Sequence, residues 1–364
     1  MRRALVLGSG GLTGIAWEAG VLQGLADGGT PVSDWDLVAG SSAGAYVGAR
    51  LLADGCAGPL FRDQLAIDPR AQERALASAT GRLLIWLLRA ARQPGLGWVA
   101  RAGVLPLILR AVTANAARDG LGEFAALRVI LRSRHPGTPA AETLQALGGL
   151  ARGNRAPEGT WISYWEHALG PVQAWPSARL AVIASNIADG SRRAIGQSDG
   201  VPLARALAAS TAVAGILPPI TVSGHRYMDG GTGSQTNADL AVRYDQVLVV
   251  APVDRGALAA ELAQLRASGH EVVVIRPSDP PAGVLGDELA RLDPTRIRAS
   301  AQAGRTDGLA AAPIFGAGPR RPPGSTMPPP QGSTIVSQSP RSRTVTLNCA
   351  TFTRIGQLHQ VRRS

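Results

Sequence analysis

Short apolar runs, each closed by glycine or aspartate, alternate along this chain with longer stretches of mixed periodicity. Residues 4–7 are all apolar and read as a buried strand. The glycine-rich stretch Gly8-Ser9-Gly10-Gly11-Leu12-Thr13-Gly14 follows, and a helix is expected from about residue 15 to 25. Gly28, Gly29 and Pro31 mark a turn. Leu37 and Val38 open a second buried strand, and residues 43–52 are rich in helix formers.

The pattern changes between about residues 60 and 175. Blocks such as 82–89 and 104–110 set apolar runs between arginines and read as short amphipathic helices. They either pack over the core or form a lid that lines an acyl-chain cleft or touches membrane. Trp161 and Trp165, four residues apart, read as packing residues. Strand-like runs return at 179–185 and 191–195, joined by the turn former Asp189-Gly190. A helix is expected from about 201 to 210, and Leu217-Pro218-Pro219 breaks the pattern. Residues 220–222 and 226–228 read as a hairpin whose end delivers Asp229-Gly230-Gly231. A strand over 246–251, a helix over 257–268, a strand over 271–275 and one or two helices over 287–304 complete the pattern. From residue 311 the composition shifts to Pro, Gly, Ser, Thr and Arg, and this tail is expected to be disordered.

Charge alters this picture little. The chain has 364 residues and a net charge of +11, every basic residue being arginine. Seven of those charges follow residue 311, which leaves +4 for residues 1–310. A mildly basic body with 4% aromatic residues lacks the dense basic, aromatic-laced face expected of a nucleic-acid binder. Cys56 and Cys349 lie far apart and suggest neither a disulfide framework nor a metal site. No apolar run approaches the roughly 20 residues that span a bilayer, and the chain opens on a strand without a signal-peptide pattern. A cytoplasmic setting is expected.

Chemistry concentrates at Gly40-Ser41-Ser42-Ala43-Gly44, a G-x-S-x-G pattern between the second strand and its helix. A turn that exposes a serine hydroxyl at a sheet edge needs strained backbone angles and small neighbours. The glycine stretch at 8–14 bares amides at a helix start, which suits a dinucleotide pyrophosphate or the oxyanion of an acyl transfer. The dinucleotide spacing fails, because position 13 is Thr and position 9 is Ser. A non-catalytic role at membrane surfaces is a further alternative. Of the five histidines, none follows Asp229 in a strong motif, and His225 reads as a turn residue. Arg192 and Arg193 read as solvated.

The glycine loop, the serine elbow and Asp229-Gly230-Gly231, in that order, together resemble the patatin-like phospholipase family. The resemblance also takes in Leu207-Ala208-Ala209-Ser210, Pro218-Pro219, Asn237 and the strand near Val247. This chain departs from the family pattern at Ser9, Thr13, Ser41 and Ala214. The resemblance implies a three-layer α/β/α sandwich with a mainly parallel sheet and a helical insertion over the active site. It implies a catalytic domain over 4–250 with the insertion at about 60–175, an α/β completion over 251–310 and the tail over 311–364. It further implies a Ser–Asp dyad of Ser42 and Asp229, without histidine, and an oxyanion hole from the amides of Gly10, Gly11 and Leu12. Gly40, Gly44, Gly230 and Gly231 are the motif glycines. The expected substrate is a phospholipid or acylglycerol, met by peripheral membrane contact, with no metal or cofactor. Asn237 is expected to brace the acid's loop.

Overall fold

The structure, a computed structural model, describes residues 1–69, 140–154, 156–214, 217–254, 256–278, 285 and 290–315. The arginine-flanked blocks at 82–89 and 104–110, His135 and residues 316–364 lie outside them. The chain divides into two compact units, Met1–Pro313 and Ile314–Ser364.

The first unit is organised by an eight-stranded sheet. Its parallel strands are β1 (Arg3–Leu7), β2 (Leu37–Ser41), β3 (Leu180–Asn186), β7 (Gln246–Val250) and β8 (Glu271–Ile275). Two strands, β4 (Arg192–Ile195) and β6 (His225–Asp229), run antiparallel to β3, and β5 (Ile220–Val222) pairs antiparallel with β6. The described helices are α1 (Gly11–Asp27), α2 (Ala43–Asp54), α3 (Gly58–Ala66), α4 (Ala140–Gly153), α5 (Glu158–Ala168), α6 (Leu203–Ser210), α7 (Ala257–Ala267) and α8 (Ile297–Phe315).

Pleat alternation explains the layers. Ala4 and Val6 of β1 and Val247 and Val249 of β7 face one way, onto Leu258, Leu262 and Leu265 of α7. Leu7 faces the other way, where it lies under Gly44 and Gly48 of α2. Runs buried on both faces are what a mostly parallel sheet between helical layers requires. On the α2 side, Ala16 of α1 packs with Ile297 and Ala301 of α8 and with Phe61 and Leu65 of α3.

Three expectations need correction. The first is that α1 begins at Gly11 and not near residue 15, because Gly10 caps it and accepts from the Gly14 amide at 3.0 Å. Arg192 and Arg193 are not simply solvated: each is paired at 2.6 Å, with Asp239 and Asp199. In addition, α8 runs through Phe315, so the boundary expected at 311 falls inside a helix whose Ala311 and Ala312 are buried.

The register on β3 fixes the geometry of everything that follows. Ala184 and Ser185 pair with both β4 and β6, while Val182 and Ile183 pair with both β4 and β2. A strand has two edges, and β4 holds one of them throughout. The other edge is therefore shared end to end by β2 and β6. The hydrogen bonds agree: the Arg179 carbonyl accepts from Val38, and the Ile187 amide, at the other end of the same edge, donates to the Arg226 carbonyl. Residues of like parity on a strand point their polar groups to one edge.

Candidate active site

The shared edge brings two distant segments together. Ser41 lies opposite Ile183 and Asp229 opposite Ala184. Their positions differ by one residue along β3, a rise of about 3.3 Å. The strands arrive from opposite directions and both stop here. Side chains alternate, so Asp229 faces away from the side taken by Ser41, and the next position, Ser42, falls on the side of Asp229.

Ser42 carries the strain of the elbow itself, with φ 53° and ψ −112°. Its flanking glycines have no positive φ. They are required by close approach instead: a Cβ on Gly40 would overlap the Gly44 carbonyl, and one on Gly44 would overlap the Leu7 carbonyl. The sequence reading placed the need for glycine in strained angles, and the structure moves that strain onto the serine. A non-glycine residue in so sparse a region costs on the order of 1–3 kcal/mol and persists only where its surroundings fix it.

Three sets of bonds do that fixing. The Ser42 amide donates to the Ser210 hydroxyl at 2.9 Å, and that hydroxyl donates to the Ile183 carbonyl at 2.6 Å. The Gly44 amide donates to the Gly8 carbonyl at 3.0 Å, tying the elbow to the glycine loop. Asn237, 1% exposed, donates to the Ser41 hydroxyl at 2.8 Å, the Gly230 carbonyl at 3.1 Å and the Ser234 carbonyl at 2.9 Å. One amide group thus ties β2 to the loop that follows Asp229, a wider reach than bracing that loop alone.

Asp229 is buried, and its carboxylate accepts from the Gly231 amide at 2.7 Å. Its own amide donates to the Ala212 carbonyl at 2.9 Å. Gly230 and Gly231 are again dictated by contact, with Ile183 and with Ser9. Ser9, a departure from the expected glycine run, packs its hydroxyl against Gly231, and its amide donates to the Gln235 carbonyl at 2.7 Å. The loop that begins at Gly8 therefore lies directly against the acid loop.

Gly10 caps α1, and Gly11, with φ +64°, and Leu12 open it. The first amides of a helix have no intrahelical acceptor. Both α1 and α2 start at the carboxyl ends of neighbouring parallel strands, so two helix N-termini favour negative charge at the same place. Thr13, another of the departures from the family pattern, is buried and donates to the Leu285 carbonyl at 3.1 Å.

The described histidines lie elsewhere. His225 is exposed at the far end of β6, His270 precedes β8 at the opposite edge of the sheet, and His167 is exposed on α5. The sequence reading missed two buried groups. Ser210 was read only as part of a family stretch. Glu18, on α1, is fully buried, and among the described residues neither carboxylate oxygen has a hydrogen-bond partner. Burial pushes its carboxyl well above the usual carboxylate range, and the Gly8 amide, which donates to the Val250 carbonyl at 3.0 Å, opposes this more weakly. A charged residue inside the otherwise apolar run at 15–22 was the available signal.

A family model described as patatin-like phospholipase matches residues 5–242. Among solved structures, the type III effector protein ExoU is similar at 19% identity over 87% of this chain and 54% of that chain, with a TM-score of 0.36. VipD from Legionella pneumophila is similar at 14% identity over 86% of this chain and 67% of that chain, with a TM-score of 0.34. This chain thus spans little more than half the length of the first. No curated protein matches it. Among the described residues, no helix is long and apolar enough to cross a membrane.

Proposed function

Since this chain belongs to the patatin-like phospholipase family, and so to a family of lipid hydrolases, we propose that it cleaves carboxylic ester bonds of glycerophospholipids or acylglycerols with Ser42 as nucleophile and Asp229 as base. The single observation that carries this reading is the meeting of β2 and β6 on one edge of β3, which puts positions 42 and 229 side by side. A serine hydroxyl is a weak nucleophile at neutral pH and needs a base within reach. The Asp229 carboxylate takes the Ser42 proton as Oγ attacks the ester carbonyl carbon. Negative charge then develops on the carbonyl oxygen, and the amides of Gly10, Gly11 and Leu12 receive it at the head of α1. Collapse breaks the ester C–O bond. The leaving alcohol, a lysophospholipid or a partial glyceride, takes the proton from Asp229. Water then attacks the acyl-Ser42 ester with Asp229 again as base, and the fatty acid leaves. The residues needed all come from the chain itself.

The test uses the full chain and a p-nitrophenyl ester, followed by a panel of phospholipids and acylglycerols. Ser42→Ala and Asp229→Asn should each lower turnover by at least about a thousandfold while leaving the thermal transition in place. Turnover of Ser42→Ala near that of the parent would end the reading.

A further inference from the structure

Ser210 stands where the β2–β3 ladder would otherwise continue. Val38 donates to the Arg179 carbonyl at 2.9 Å. A parallel ladder advances two residues per rung, so the second rung beyond this one would join the Ser42 amide to the Ile183 carbonyl. That rung is not made directly. The Ser210 hydroxyl is inserted into it, accepting from Ser42 at 2.9 Å and donating to Ile183 at 2.6 Å. Ser210 is fully buried at the last position of α6.

On the reading that Ser42 is the nucleophile, we infer that Ser210 is a positioning residue that holds the elbow open by standing in for this rung. The inserted hydroxyl lets residue 42 leave the extended conformation for φ 53° while its amide and the Ile183 carbonyl both stay satisfied. Without the hydroxyl, both groups are left unpaired in a buried place, which is costly. The direct rung can then re-form, drawing the Ser42 backbone toward β3 and Oγ away from the oxyanion amides. The engaged amide also assigns the oxyanion elsewhere, because the Ser42 N–H is already committed to Ser210. The turn that carries Ser210 is itself anchored. The next residue, Thr211, accepts from the indole N–H groups of Trp161 at 3.1 Å and Trp165 at 2.8 Å and donates to the Leu207 carbonyl at 2.7 Å. A hydroxyl in this role affects bond making and not substrate binding.

The experiment compares Ser210→Ala, Ser210→Cys and Ser210→Thr in the full chain. It measures kcat and KM on a p-nitrophenyl ester, the rate of covalent labelling by an alkyl fluorophosphonate, and the thermal transition. Ser210→Ala should lower kcat and the labelling rate about 10–100-fold, since a misplacement of about 1 Å in a reacting group can cost about 10²-fold, with KM within about twofold of the parent. Ser210→Cys keeps the volume but bonds weakly and should behave like Ala, so it carries the test if the Ala variant does not fold. Ser210→Thr restores a hydroxyl and should recover most of the rate. A folded Ala or Cys variant with kcat and labelling near the parent values would overturn the inference, as would a folded Thr variant no better than Ala. Ser42→Ala is run alongside. If it still labels and turns over, the nucleophile assignment has failed. If it is dead while Ser210→Ala is unaffected, only the role of Ser210 has failed.

Discussion

Glu18 is a carboxyl that the fold encloses with no hydrogen-bond partner among the described residues. Because burial raises its pKa, the native state keeps this proton at pH values where the unfolded chain has lost it. Native protein then binds more protons than unfolded protein, and stability falls as pH rises from the ordinary carboxylate range toward the raised value. Glu18→Gln removes the ionisation at nearly constant shape. We expect it to melt at a higher temperature than the parent at pH 8, with the two curves converging at pH 4, as followed by circular dichroism. Residue-scale chemistry of this sort is only partly legible in a sequence. Ser42 and Asp229, the proposed nucleophile and base, stand out in the sequence because their glycine neighbours form local patterns. The roles of Glu18 and Ser210 do not stand out in this way, because the burial of the one and the Ile183 partner of the other are supplied by distant segments.

At the scale of elements, the contact of α1 with α8 is unusually close. A Cβ on Gly20 or Gly24 of α1 would overlap the backbone at Ala301 or Arg305 of α8. One on Gly304 or Gly308 of α8 would overlap the backbone at Trp17 or Val21 of α1. The Trp17 indole donates to the Asp307 carboxylate at 2.8 Å across the same seam. We expect Gly304→Val to cost about 2–4 kcal/mol, as overpacking and backbone shifts do, measured as a lower midpoint in urea. The helical pattern over 287–304 gave the existence of a closing helix but not its extent. The buried turn at Ala311 and Ala312 borders a Pro-, Gly- and Arg-rich stretch, and its local composition hid the seam it completes. Strands were easier to read, since β1, β7 and β8 each carry four consecutive apolar residues after a polar or charged first one, and β2 opens on Leu-Val-Ala. Which edge of β3 each neighbour takes was not legible, because pairing partners are set by tertiary packing and not by the strand's own residues.

For the whole molecule, the matched family region ends at residue 242, yet β7 and β8 extend the sheet past β1 and α8 closes over α1. The site sits on the segment of sheet common to both descriptions, at β3. The pairing on β3 sets the spacing of positions 42 and 229, so the register near residue 184 tolerates no slip, whereas exposed turns between the strands do. A single alanine inserted after Met228 turns the carboxylate to the opposite side of the sheet, and ester turnover should vanish. The same insertion at Gly190, in the hairpin between β3 and β4, should leave turnover largely intact. A change of length is therefore tolerated only in turns such as that at Gly190, and a slip of even one residue is not tolerated where the opposing strands come nose to nose.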